Sequence, residues 1–140
     1  MSCTLRAIGT LFDVDAFLQT SALVADSVFH RGETRLAGVA DGPRRSASGF
    51  NVAVSAAGPH RLDAQVDDAI RFLGEHEEEL RRLGSFDGVE EVCIEFAVRR
   101  SEAAAQSDLF PADLLWRVDA LDIDLLVTQY AIAGGAGRMD

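Results

Sequence analysis

Hydrophobic and polar positions sort into two periods along this chain. Between 62 and 83, Leu62, Val66, Ala69, Ile70, Leu73, Leu80 and Leu83 fall on one stripe at 3.6 residues per turn. Asp67, Asp68, Arg71, Glu75, Glu78, Glu79 and Arg82 occupy the other side. The pattern predicts one long amphipathic helix over 62–83, capped by Asp63 and stopped at Gly84. Glu77 and Glu78 stand four residues before Arg81 and Arg82, the order that suits helical ion pairs. Gly74, costly inside a helix, predicts a close approach to a sheet. From 91 to 99 the period becomes two: Val92, Ile94, Phe96 and Val98 point one way, and Cys93, Glu95 and Ala97 the other. With the apolar run 50–56 ahead of the helix, the centre reads strand, helix, strand. One sheet face is small and partly charged, as in a sheet with helices on one side only.

The flanks extend this unit. In a first strand over 3–10, Cys3, Leu5 and Ala7 face the helices and Thr4 and Arg6 face away. Asp13 suits the N-cap of a short helix over 14–20, with Phe17 and Leu18 packing down. Residues 23–29 return in extended form, and His30, Arg31, Gly32 and Glu33 make a polar turn. The stretch 35–48 is rich in Gly, Ala, Ser and Arg and predicts a loop or weak hairpin around Asp41, Gly42 and Pro43. Pro111 fits the first position of a helix that buries Leu114, Leu115, Val118 and Leu121, with Trp116 on its flank. A last strand over 122–132 places Ile123, Leu125 and Val127 on one side and Asp124, Leu126, Thr128 and Tyr130 on the other. The expected fold is α+β and ferredoxin-like, β-α-β-β-α-β-α-β, with a mostly antiparallel sheet and helices on one face. It forms a single domain over 1–133, followed by a Gly-rich flexible tail over 134–140.

Several of these features resemble a bacterial family, the domain of unknown function 4279. They are the opening strand with Asp13 and its short helix, the Arg31-Gly32-Glu33 turn, and the Gly49-Phe50 strand entry before the acidic helix. The helix from Pro111 to Leu121 running into Ile123-Asp124-Leu125 completes them. The resemblance extends from about Cys3 to Tyr130. It departs at Phe50, where Trp is expected, and over 35–48. It implies a small stand-alone α+β protein and brings no catalytic residues.

Composition narrows the function. A chain of 140 residues fits one domain with a core that needs no staples. Net charge of −10 argues against nucleic acid as a partner and suits a basic protein partner or simple solubility. All 13 basic residues are Arg. No apolar run approaches the ~20 residues of a membrane span, and no charged segment leads into an apolar run at the N-terminus. The expectation is a cytoplasmic protein with no membrane contact. Cys3 and Cys93 fall on opposite sheet faces and are expected to stay reduced.

The chemistry-bearing candidates are few. His30, Arg31 and Glu33 form the densest polar constellation, around a turn that Gly32 permits. Arg44 and Arg45 are the basic pair on the 35–48 loop, suited to an anion or carboxylate contact. Arg6, Asn51, Ser55, Glu95, Asp124, Thr128 and Tyr130 are expected on the open sheet face, with Arg6 reaching Glu95 or Asp124 across it. No metal, cofactor or catalytic motif is present. The leading expectation is a non-enzymatic protein-interaction module, of immunity type in one version. One alternative is a small-ligand sensor or enzyme with its site under the 35–48 loop. Another is a homodimer joined sheet to sheet through Leu126, Ala97 and Ala53.

Overall fold

The computed structural model describes residues 2–35 and 42–131. Its elements run β1 (Cys3–Gly9), α1 (Val14–Gln19), β2 (Ser27–Phe29), β3 (Ser48–Ser55), α2 (Leu62–Glu75), α3 (Glu77–Gly84), β4 (Glu91–Arg99), α4 (Ala112–Ala120) and β5 (Asp124–Tyr130). The strands form one open sheet in the order β2-β3-β1-β4-β5. β1 pairs antiparallel with β3 and β4, and β2 antiparallel with β3. β5 lies parallel to β4, reached through α4. The fold is α+β with a mostly antiparallel sheet. The expected tail over 134–140 and the turn at Asp41 lie outside the described residues.

Side-chain alternation separates the two faces. Along β1, Cys3, Leu5 and Ala7 are buried against the helices, while Thr4, Arg6 and Ile8 on the other face are half-buried. Phe50, Val52, Val92, Ile94 and Phe96 continue the inner layer, and Phe17, Leu73, Leu80, Leu83 and Leu114 close it from the helices. At one end the rings of Phe12, Phe17, Phe50 and Phe86 meet edge to face, with Phe17 and Phe86 centroids 5.2 Å apart. Gly9 and Gly88 allow the end of β1 to press on the turn before β4. A Cβ on Gly9 would sit 1.8 Å from the Gly88 carbonyl oxygen.

Several expectations need correcting. The helix expected over 62–83 is two helices, broken at His76, whose ring packs at a tilt against Phe72 with centroids 4.6 Å apart. The backbone ladder nevertheless passes through the kink, from His76 N–H to Phe72 C=O and from Leu80 N–H to His76 C=O. Gly74 is exposed and faces Arg117 of α4, not the sheet. Arg61, not Asp63, holds the N-cap position of α2, and Asp63 lies in the first turn. Gly84 is the last residue of α3, with Ser85 as its cap. Arg81 pairs with Glu77 as expected, at 2.7 Å, but Arg82 pairs with Glu79, not Glu78. Arg82 lies over the Phe17 ring at 4.2 Å, which turns it toward half-buried Glu79. Pro111 precedes α4 as an extended cap residue. Leu115 is exposed, because only Leu114 and Val118 of this helix are buried.

One buried polar side chain explains how α2 is held on the sheet. β1 stops pairing with β4 at Thr4 and Glu95, so the β4 backbone beyond that point lacks a strand on that edge. Gln65, fully buried on α2, takes its place. Its amide donates to the Ala97 carbonyl at 2.8 Å and accepts from the Ala97 N–H at 3.2 Å. A further bond of 2.8 Å ties it to the Gly58 carbonyl, and Arg99 N–H continues the edge by donating to the Pro59 carbonyl. Gln65→Leu would strand both polar groups of Ala97 in the interior. The expected loss is about 2–4 kcal/mol, measured as a lowered urea midpoint at unchanged m-value.

Candidate functional site

The helices pack on the inner face, and the outer face carries the candidate chemistry. Strand register sets its rows. Phe29, Gly49, Ile8 and Glu91 lie side by side, and so do Ser27, Asn51, Arg6, Cys93 and Asp124. A further row is Ala53, Thr4, Glu95 and Leu126. Arg6 therefore has Asn51 and Cys93 as neighbours, and the expected pairing with Glu95 or Asp124 is not made. Its guanidinium reaches the Cys93 sulfur at 4.0 Å, while Glu95 accepts from the Thr128 hydroxyl. Ser55 is also not on this face. The register shift between Cys3 and Thr4 turns it inward, where its hydroxyl donates to Asp68 at 2.6 Å. Ala97 is buried, so the sheet-to-sheet contact expected through Leu126, Ala97 and Ala53 keeps only Leu126 and Ala53 as exposed members. Tyr130 sits at the far end beside Arg99.

A cleft of about 190 Å³ opens on this face, lined by Arg6, Ile8, Phe29, Arg35, Arg45, Ser46 and Ala47. Arg35 and Arg45 reach it on a two-stranded turn, in the stretch that the sequence predicts as a loop or weak hairpin. Thr34 bridges Arg44, Arg35 N–H donates to the Pro43 carbonyl, and Arg45 N–H donates to the Glu33 carbonyl at 2.7 Å. Gly32, at φ +93, lets its N–H return to the Arg45 carbonyl. Arg45 lies over the Phe29 ring, 4.4 Å from its centroid. Phe29 in turn occupies the space above Gly49, where a Cβ would meet the ring at 2.8 Å. Of the residues singled out from sequence, Arg6 and Arg45 line the cleft. Arg44 turns back to the Gly32 carbonyl, and Arg31 to the Thr10 carbonyl. Sequence reasoning missed Ile8, Phe29, Arg35 and Ser46. The signal was present in the outward register of Ile8 and the β2 pairing of Phe29 with Gly49.

His30 and Glu33 do meet, but as a clamp behind the turn. The His30 ring bridges Asp15 of α1, at 2.9 Å, and Glu33, at 3.3 Å, while the His30 N–H donates to Glu33 at 2.7 Å. The Asp15 hydrogen bond lifts the His30 pKa above the usual imidazole value, and Glu33 adds to the effect. Bonding from the His30 backbone and then its ring lowers Glu33, and the charge of Arg45 contributes. Elsewhere, burial pushes the Cys3 thiol up, and Cys93 is raised for the same reason despite the Arg6 charge beside it. Both cysteines are free. Among the described residues no cluster of three metal-ligating side chains occurs, and no helix is long and apolar enough to cross a membrane.

Fold and cleft together define an α+β protein with one helix-packed sheet face and one face bearing a cation-lined cleft. No family model, curated protein or solved structure matches the chain.

The clamp makes stability depend on pH with a definite sign. His30 is raised in the folded state, so its contribution is full below about pH 6.5, the unfolded value, and fades as pH rises through the folded pKa. Glu33 is lowered, so its contribution is present above the ordinary carboxylate pKa and is lost as pH falls through the folded value. An NMR titration should place the His30 imidazole above about 6.5. Asp15→Asn should lower it more than Glu33→Gln; an unshifted His30 would contradict the clamp.

Proposed function

We propose that the chain is a small-ligand-binding protein of the sensor type whose site is the cleft beneath the 42–47 segment. The observation that carries this reading is the cleft itself. It joins a floor from β1 to a rim from the 30–35 and 42–47 turn, and it combines apolar walls with convergent polar groups. Binding without chemistry suits its lining. Among the described lining residues Ser46 is the one with a hydroxyl, and no described histidine or carboxylate lines the cleft with it as a base. The ferredoxin-like reading of the core belongs to the same proposal. It is supported by the order β2-β3-β1-β4 with every neighbouring pair antiparallel, β5 being an addition through α4. Bacterial origin, kinship with the domain of unknown function 4279 and cytoplasmic residence rest on the residue patterns that carry the resemblance and on charge.

A second reading keeps the immunity-type module. The exposed acids Glu75, Glu77 and Glu78 at the kink between α2 and α3 favour a basic protein partner. Such binding would weaken steeply with salt.

A thermal-shift panel of small metabolites of every charge class tests the first reading. A true ligand at 100 times its Kd stabilises by about 2.7 kcal/mol. Ser46→Trp, which fills the cleft with an indole, should abolish that shift. No stabilising compound in the panel, or one that stabilises Ser46→Trp equally, would remove the reading.

A further inference from the structure

We infer that the cleft on the outer sheet face recognises a small dicarboxylate through Arg6, Arg35 and Arg45. This rests on the reading of the cleft as a small-ligand site and adds the chemical class of the ligand. The chain has 23 acidic residues against 13 arginines. Arg61, Arg71, Arg81, Arg82 and Arg117 each hold an Asp or Glu within 3.1 Å. The three arginines of the cleft do not. Among the described residues, no carboxylate oxygen lies within 4.0 Å of Arg6, Arg35 or Arg45.

Two of the three guanidiniums are held by contacts that include no carboxylate. Arg45 lies over the Phe29 ring, 4.4 Å from its centroid, a cation–π contact that uses no carboxylate. Arg6 stands on the sheet floor between Asn51 and Cys93, its one polar side-chain contact being the weak one to sulfur. Guanidinium forks match planar carboxylates edge to edge, with two parallel N–H···O bonds each. Ile8 and Phe29 supply an apolar wall, which suits a short carbon chain between two acid groups. The cleft of about 190 Å³, roughly six waters at ~30 Å³ each, has room for a small organic acid. A dianion also answers three cations better than a single carboxylate does.

Isothermal titration at low ionic strength with glutarate, its dimethyl ester, 1,5-diaminopentane and inorganic phosphate tests the assignment. Glutarate should bind, and the ester and the diamine should not. Arg45→Gln and Arg35→Gln, both on the surface turn, should each weaken glutarate at least tenfold. Arg45→Lys should recover only part of the loss, because the charge returns without the fork. Arg6→Gln should act likewise, its fold checked by circular dichroism. Equal binding of ester and acid, tighter binding of phosphate, or unchanged affinity in the Arg35 and Arg45 variants would overturn the dicarboxylate assignment. If instead a neutral or cationic compound binds and Ser46→Trp blocks it, the cleft reading stands and this inference fails.

Discussion

The pairing of β1 on both of its edges is the constraint from which the other features follow. Seven residues place Leu5 opposite both Val52 of β3 and Ile94 of β4, so three strands share one register. Because side chains alternate, that register decides at once what the helices cover and what they leave bare. Leu5 and Ala7 go under the helices, and Arg6 goes to the opposite face with Asn51 and Cys93. A slip of one residue would bury the Arg6 guanidinium among the phenylalanines, at a cost of several kcal/mol for an unpaired interior charge. The cleft therefore exists where it does because the core requires this register.

β1 is shorter than β4, and the mismatch accounts for two local devices. At its start, one extra residue in β3 turns Ser55 inward to Asp68 of α2. Beyond its last pairing, Gln65 supplies the missing amide for Ala97. Both contacts run from α2 to the sheet, and both use polar groups in an otherwise apolar layer. A helix lying on a sheet through leucines alone could slide; these directional bonds fix its position along β3 and β4. The aromatic cluster performs the same service for α1, with Arg82 of α3 lying over Phe17.

How far the sequence reveals this depends on the range of the interaction. The alternation of 91–99 and the stripe of 62–83 are local, and β4 and the apolar face of the long helical stretch follow from them. The Asp13 cap is equally local, and its carboxylate accepts from Ala16 N–H at 3.1 Å. The break at His76 is not, because the helical period passes through it undisturbed. Ser55 was assigned to the wrong face because alternation assumes an unbroken ladder, and a bulge leaves no composition cue when the extra residue is an ordinary valine. Gln65 was legible in principle. It stands directly before Val66 on the stripe side of the helix, where a polar residue needs a partner. Of the candidate site, Arg6 and Arg45 could be named, but their meeting with Arg35 and Phe29 depends on β2 returning beside β3, a contact between distant segments.

The proposed anion site, on a chain of net charge −10, raises an electrostatic question whose answer also limits the ligand. Screening at physiological salt confines a surface charge to about 8 Å, so the distant acids on α2 and α3 act weakly on an anion already seated between guanidiniums. They act fully on a large polyanion, which must bring many charges near many carboxylates at once. At the proposed site, local attraction and overall repulsion together would favour a compact anion over a nucleic acid. Glu33 completes the selection. Its charge is felt at Arg45, but its carboxylate is held behind the turn by the His30 ring and backbone. The clamp that holds the hairpin thus also keeps Glu33 from filling the proposed site itself.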